Sequence, residues 1–86
     1  MEIDFATNRL AAAGLSLSEA SRLLAILRAV EKFEQLYGHR SLRLHALKGD
    51  RAGQYAVALT ANYRLIIEKV SQDAVRILDV EDYHGD

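Results

Sequence analysis

Three short stretches of the chain hold side chains that can move protons or carry charge in an otherwise apolar setting. They are Leu44-His45-Ala46-Leu47-Lys48-Gly49-Asp50-Arg51, then Asn62-Tyr63-Arg64, then Asp79-Val80-Glu81-Asp82-Tyr83-His84. Histidine exchanges protons near neutral pH. Lysine and arginine stabilise an anion that develops during a reaction, and tyrosine can stack a splayed base. With no obvious carboxylate pair beside it, this set suits cleavage of an RNA phosphodiester by its own 2′-hydroxyl. That reaction needs a base for the hydroxyl, cations for the phosphorane and an acid for the leaving 5′-oxygen. It calls for no metal and no cofactor, and His39, His45 and His84 stand at no metal-ligand spacing. Lys48-Gly49-Asp50 lacks the spacing of a nucleotide phosphate loop, and no serine-elbow motif occurs.

Plainer readings stay open for each residue. Arg64 sits in an apolar alternating run, where a guanidinium is costly unless it is paired or at the rim of a pocket. On a solvent face it would pair with Glu68 or Asp79. His45 and Lys48 lie near a strand end, where a histidine can be structural or simply exposed. Tyr83 can pin the end of the chain to a sheet and hold His84 in place, or both can belong to a frayed tail.

The elements that must position these residues are legible in outline. The 86 residues form one domain, of a size that buries roughly 60% of its unfolded surface. There is no cysteine, half the residues are apolar and 27% are charged, which excludes a cystine scaffold and a disordered chain. No apolar run approaches the roughly 18 residues of a membrane span. Met1–Phe5 carries two acids and no basic flank, so no signal peptide is expected. These features predict a soluble, cytoplasmic domain. The net charge of −1 conceals a basic middle, with residues 39–51 at +3, and an acidic tail, with residues 72–86 at −4. Such a middle can bind an anion locally or be only a solvated mixture.

Ile3 and Phe5 alternate with acids and predict a short strand. Asn8 can cap a brief helix that Gly14 ends. Ser16 and Glu19 have capping-box spacing ahead of a helix over about 17–37, with Leu23, Leu24, Leu27 and Val30 on its apolar face and Gly38 at its C′ position. Leu42 and Leu44 alternate with Arg43 and His45. Residues 48–53 carry turn chemistry. Alternation then resumes from Tyr55, Tyr63 and Val75, predicting an antiparallel meander. The fold class is α+β, with a short N-terminal strand and two helices packed on an antiparallel sheet.

At the three chemical stretches the chain resembles the RelE/ParE toxin superfamily, and within it the HigB-like plasmid maintenance killer proteins. The family pattern reads roughly L-R-L-H-P-L-K-G-D-x-x-G-x-W, then N-W-R, then D-Y-H. Here Ala46 stands in place of the usual proline, and Tyr55 and Tyr63 in place of tryptophans. The isoelectric point near 6.3 is low for a ribosome-docking protein. The resemblance implies a RelE-like fold and a type II toxin that cleaves messenger RNA in the ribosomal A site without a metal. It implies catalytic roles for His45, Lys48, Arg64, Tyr83 and His84, with Arg43, Arg51 and Tyr63 contacting RNA. It leaves open which histidine is base and which acid. The implied partner is a helix-turn-helix, HigA-like antitoxin. Two alternatives remain: a RelE-fold binding module that acts only as its antitoxin's corepressor, and a ParE-like gyrase poison, which has no need of these residues.

Overall fold

Alternation of apolar and polar residues builds the central sheet. In the computed structural model, residues 1–6, 17–59 and 63–82 are described. The expected helix after Asn8, the Ser16 cap, Asn62 and the Tyr83-His84 pair lie outside them. Strands β1 (Glu2–Phe5), β2 (His45–Ala46), β3 (Gln54–Ala58), β4 (Tyr63–Ser71) and β5 (Ala74–Asp82) form one sheet in the order β1-β5-β4-β3-β2. The β2–β5 run is the antiparallel meander read from the sequence. β1 joins it in parallel against β5, so the sheet is mixed.

Helix α1 (Leu17–Ala29) packs on one face of this sheet. Leu23, Leu27 and Val30 bury there against Val57, Leu65, Ile67, Val75, Ile77 and Val80, with Leu24 half-buried beside them. A leucine, isoleucine or phenylalanine so buried contributes roughly 1.5–3 kcal/mol.

The helix ends eight residues before the expected position. After Ala29 the chain leaves the α-path and re-enters a 3-10 helix over Phe33–Gly38. The buried positions explain why. Leu27, Val30, Phe33 and Leu36 recur every third residue, the period of a 3-10 helix. The expected continuation through Glu31, Glu34 and Tyr37 is exposed instead. The Phe33 amide donates to the Gln72 carbonyl at 2.7 Å, pulling the backbone toward the β4–β5 turn. Gln35 Oε1 accepts from the Glu31 and Lys32 amides, at 2.6 and 3.0 Å, and satisfies donors that the break exposes. The Met1 amino group donates to the Arg28 and Val30 carbonyls at the helix end.

The stretch from Leu42 to Leu44 also departs from expectation. Arg40–Leu42 is a 3-10 turn and Arg43 has φ 49° and ψ 44°, so β2 begins only at His45. Leu42 nonetheless buries in the core. A left-handed arginine is uncommon and costs roughly 1 kcal/mol or more. The turn chemistry of residues 48–53 holds: Gly49 and Gly53 have φ +70° and +91°, values that L side chains rarely adopt.

Two register shifts shape β5. Leu78 is the extra residue between the Ile67–Ile77 and Ile66–Asp79 pairs, and Val70 the extra residue between Lys69–Val75 and Ser71–Ala74. The Leu78 bulge resets the alternation, so Val80 joins Val75 and Ile77 in the core and Asp79 turns to the opposite face. Unbroken alternation from Val75 would have set Asp79 with Val75 and Ile77.

The β4–β5 turn anchors two other segments. Gln72 accepts from Phe33, and the Asp73 carbonyl accepts from the Glu2 amide at 2.9 Å. Ser71 Oγ donates to Asp73 Oδ1 at 2.8 Å, and this bond, aided by the Lys32 charge, holds the Asp73 carboxyl below the usual carboxylate range. A carboxylate whose pKa is depressed on folding stabilises the fold above its unfolded value, about 3.9, and loses that contribution as pH falls through the folded value. Asp73→Asn is therefore expected to flatten the decline of the urea midpoint below about pH 4. Parallel declines in wild type and variant would exclude the effect.

Candidate functional site

The face away from α1 carries the charged residues. Register puts His45 opposite Ala56, Ala58 opposite Arg64 and Arg64 opposite Glu81, all on this face. At its centre Ala56 and Ile66 pair and are buried. On either side stand two ion networks of opposite composition. Toward β3, Arg51 Nη2 donates to Glu81 Oε2 at 2.9 Å and Arg64 Nη2 to Glu81 Oε1 at 3.5 Å. Arg51 Nε also donates to Gln54 Oε1 at 3.4 Å. Toward β1, Arg76 Nε donates to Asp4 Oδ2 at 3.1 Å and Nη1 to Glu68 Oε1 at 2.9 Å. The Asp4 bond pushes Arg76 further toward its charged form. The first network is two cations around one carboxylate, the second two carboxylates around one cation. The Asp79 carboxylate accepts from the Val80 amide at 2.8 Å.

Beside the cationic network a cleft of about 590 Å³ opens along β3. β2 pairs with only two residues of β3, because the left-handed turn at Arg43 carries the chain away. The wall that a longer β2 would have filled is left open. Leu23, Ile26 and Leu42 supply an apolar side, Ala56–Leu59 the floor, and Arg22, Arg43, His45 and Arg64 the polar rim, with Tyr63 beside them. The His45 ring Nδ1 lies 3.2 Å from the Arg43 carbonyl oxygen. A carbonyl only accepts, so as a hydrogen bond this contact requires the proton on Nδ1. In the neutral ring Nε2 is then the acceptor.

Of the residues singled out from the sequence, Arg43, His45, Tyr63 and Arg64 line this cleft. Arg51 is tied to Arg64 through Glu81. Lys48 is exposed, lies outside the cleft walls and starts the 3-10 turn Gly49–Arg51 that delivers Arg51. Tyr83 and His84 fall outside the described residues. Sequence reading missed Arg22 and the role of Glu81. Arg22 lies four residues before Ile26, on the border of the apolar helix face, which is the signal that could have found it. Arg64 pairs with Glu81, a partner not among those expected from the sequence.

The fold, a mixed sheet with a helix packed on one face, is shared with known toxins. No family model matches the chain. A copper-bound mutant toxin from Helicobacter pylori superimposes with a TM-score of 0.68 at 17% identity, over 96% of this chain and 94% of that one. The YoeB/ParE toxin from Agrobacterium tumefaciens gives 0.62 at 13% identity, over 98% and 100%. The RelBE2 toxin–antitoxin complex from Mycobacterium tuberculosis gives 0.52 at 20%, over 95% and 96%. These likenesses define the fold as that of the RelE/ParE toxins. In sequence, the Endoribonuclease HigB of Proteus vulgaris is 32% identical over 73 residues, covering 83% of this chain and 78% of that protein. The chain belongs to the RelE/ParE toxin superfamily, among its HigB-like members. Among the described residues no helix is long and apolar enough to cross a membrane.

Proposed function

We propose that the chain is a metal-independent endoribonuclease that cleaves messenger RNA in the ribosomal A site, in the cytoplasm, and is neutralised by a helix-turn-helix antitoxin. One observation carries the reading: Arg43, His45, Tyr63 and Arg64, drawn from separate motifs, line one open cleft. The relative named an endoribonuclease and the toxin–antitoxin complex among the structural neighbours support the class and the partner. In the reaction the 2′-oxygen attacks phosphorus and the bond to the 5′-oxygen breaks. One proton leaves the 2′-hydroxyl and another reaches the 5′-oxygen. His45 and His84 divide these transfers, Arg64 and Lys48 offset the phosphorane charge, and Tyr63 and Tyr83 stack or orient the flanking nucleotides.

The test is cleavage of a ribosome-bound message. Products should end in 2′,3′-cyclic phosphates, and activity should survive chelation. His84→Ala should retain its circular dichroism and lose about 10²–10⁴ in rate, the usual worth of a proton-transfer group. Full activity in folded His84→Ala would remove that residue from the mechanism. The isoelectric point near 6.3 favours a second reading, a binding module without cleavage. Tight antitoxin binding by a wild type that leaves the message intact would establish it.

A further inference from the structure

We infer that Glu81 is an internal stand-in for the substrate phosphate, seated between Arg51 and Arg64 and displaced when a phosphodiester of single-stranded RNA binds. This rests on the ribonuclease reading of the same site. Each Glu81 carboxylate oxygen engages a different guanidinium, Oε2 with Arg51 and Oε1 with Arg64. Two oxygens of one anion bridging two guanidinium groups is the contact that the two non-bridging oxygens of a phosphodiester also make.

The surroundings favour exchange over a permanent tie. The three side chains are all partly accessible, at 40%, 28% and 29% for Arg51, Arg64 and Glu81. The Arg64 contact, at 3.5 Å, is at the limit of a hydrogen bond. The one Glu81 carboxylate is shared between two guanidinium groups, so neither holds it alone. Arg76, held between two carboxylates, Asp4 and Glu68, on the same face, offers an anion no such exchange. Arg64 also lines the cleft, so the exchange site opens directly into it. Glu81 thus keeps the arginines gathered while no RNA is present and lowers affinity by competing for them.

Glu81→Gln keeps the side-chain shape and removes the competing charge. The probe is a fluorescent 2′-O-methyl oligoribonucleotide, which its own 2′-hydroxyl cannot cleave, with binding followed by anisotropy over a range of salt. Glu81→Gln should bind about three- to tenfold tighter than wild type at low salt, where exposed charges are least screened. Its log–log salt slope should steepen by roughly 0.7–1.4, because one or two more cations contact phosphate. Glu81→Ala, checked by thermal melting, should behave alike, and Arg51→Ala should bind more weakly. A structural tie would give the opposite sign in Glu81→Gln. Equal or weaker binding by folded Glu81 variants, or no binding by any protein, overturns the proposal. Cleavage of ribosome-bound message by wild type is scored separately. Tighter binding without cleavage would retain the exchange site and end the nuclease reading. Cleavage without tighter binding would do the reverse.

Discussion

Arg64→Ala should fold and cleave ribosome-bound message about 10²–10³-fold more slowly than wild type, by analogy with the loss of one donor to a developing oxyanion. The guanidinium sits at the rim of the cleft, on the face away from the hydrophobic core. Its removal leaves Glu81 paired with Arg51 at 2.9 Å, so that carboxylate is not stranded. An accessible ion pair of this kind contributes at most about 1 kcal/mol, so the melting temperature should move by only a few degrees. Arg64→Lys restores a point charge without the planar fork and should recover part of the rate. The measurement pairs initial cleavage rates with circular dichroism melts of the three proteins. A folded Arg64→Ala with wild-type activity would show that the phosphorane charge is met elsewhere.

Phe33→Ala should cost about 3–5 kcal/mol, the range for deleting a fully buried aromatic ring. For a domain whose whole stability is about 5–15 kcal/mol, that takes the protein close to unfolding. Phe33 is 1% exposed. Its ring packs on Tyr55 at 4.7 Å between centroids and meets Tyr37 edge-on at 6.4 Å, and the Lys69 ammonium lies 5.1 Å from its centroid. Its amide holds the Gln72 carbonyl, so a cavity there also loosens the β4–β5 turn. Phe33→Leu keeps much of the apolar volume and should lose far less. Urea denaturation of the three proteins measures both losses. Near-equal midpoints for wild type and Phe33→Ala would contradict the central place given to this ring.

The meander was legible because strand alternation and turn glycines are local signals. Even the partner of Arg64 was within reach. Strict one-to-one pairing about a turn at Gln72-Asp73 sets Arg64 opposite Glu81, as observed. It does so because the bulge at Val70 shifts the register by one and the bulge at Leu78 shifts it back. Between the bulges the same rule fails, and Glu68 meets Arg76 instead of Ile77. The helix end was misread because Leu27 and Val30 fit a period of 3.6 as well as one of 3. Only Phe33 and Leu36 distinguish them. Leu42 and Leu44 look like a strand because alternation says nothing of a left-handed residue between them. The cleft wall at Arg22 depends on how α1 lies over β3, a packing of residues more than thirty apart, which no local pattern encodes.

The strand order has a consequence for how the molecule comes into being. β5 lies between β1 and β4, so the first strand has no neighbour in the sheet until one of the last has been synthesised. The acceptors for the Glu2 and Phe33 amides likewise arrive only with the β4–β5 turn. Pairing residues some seventy positions apart is slow, because the loop must close before any contact rewards it. The β4–β5 hairpin, by contrast, is local and is the natural nucleus. A nascent chain that has passed β3 therefore holds an apolar helix and an unfinished sheet, and Arg64 has yet to meet Glu81. The bridge from Arg51 through Glu81 to Arg64 cannot form on a chain whose β5 is still inside the ribosome that makes it.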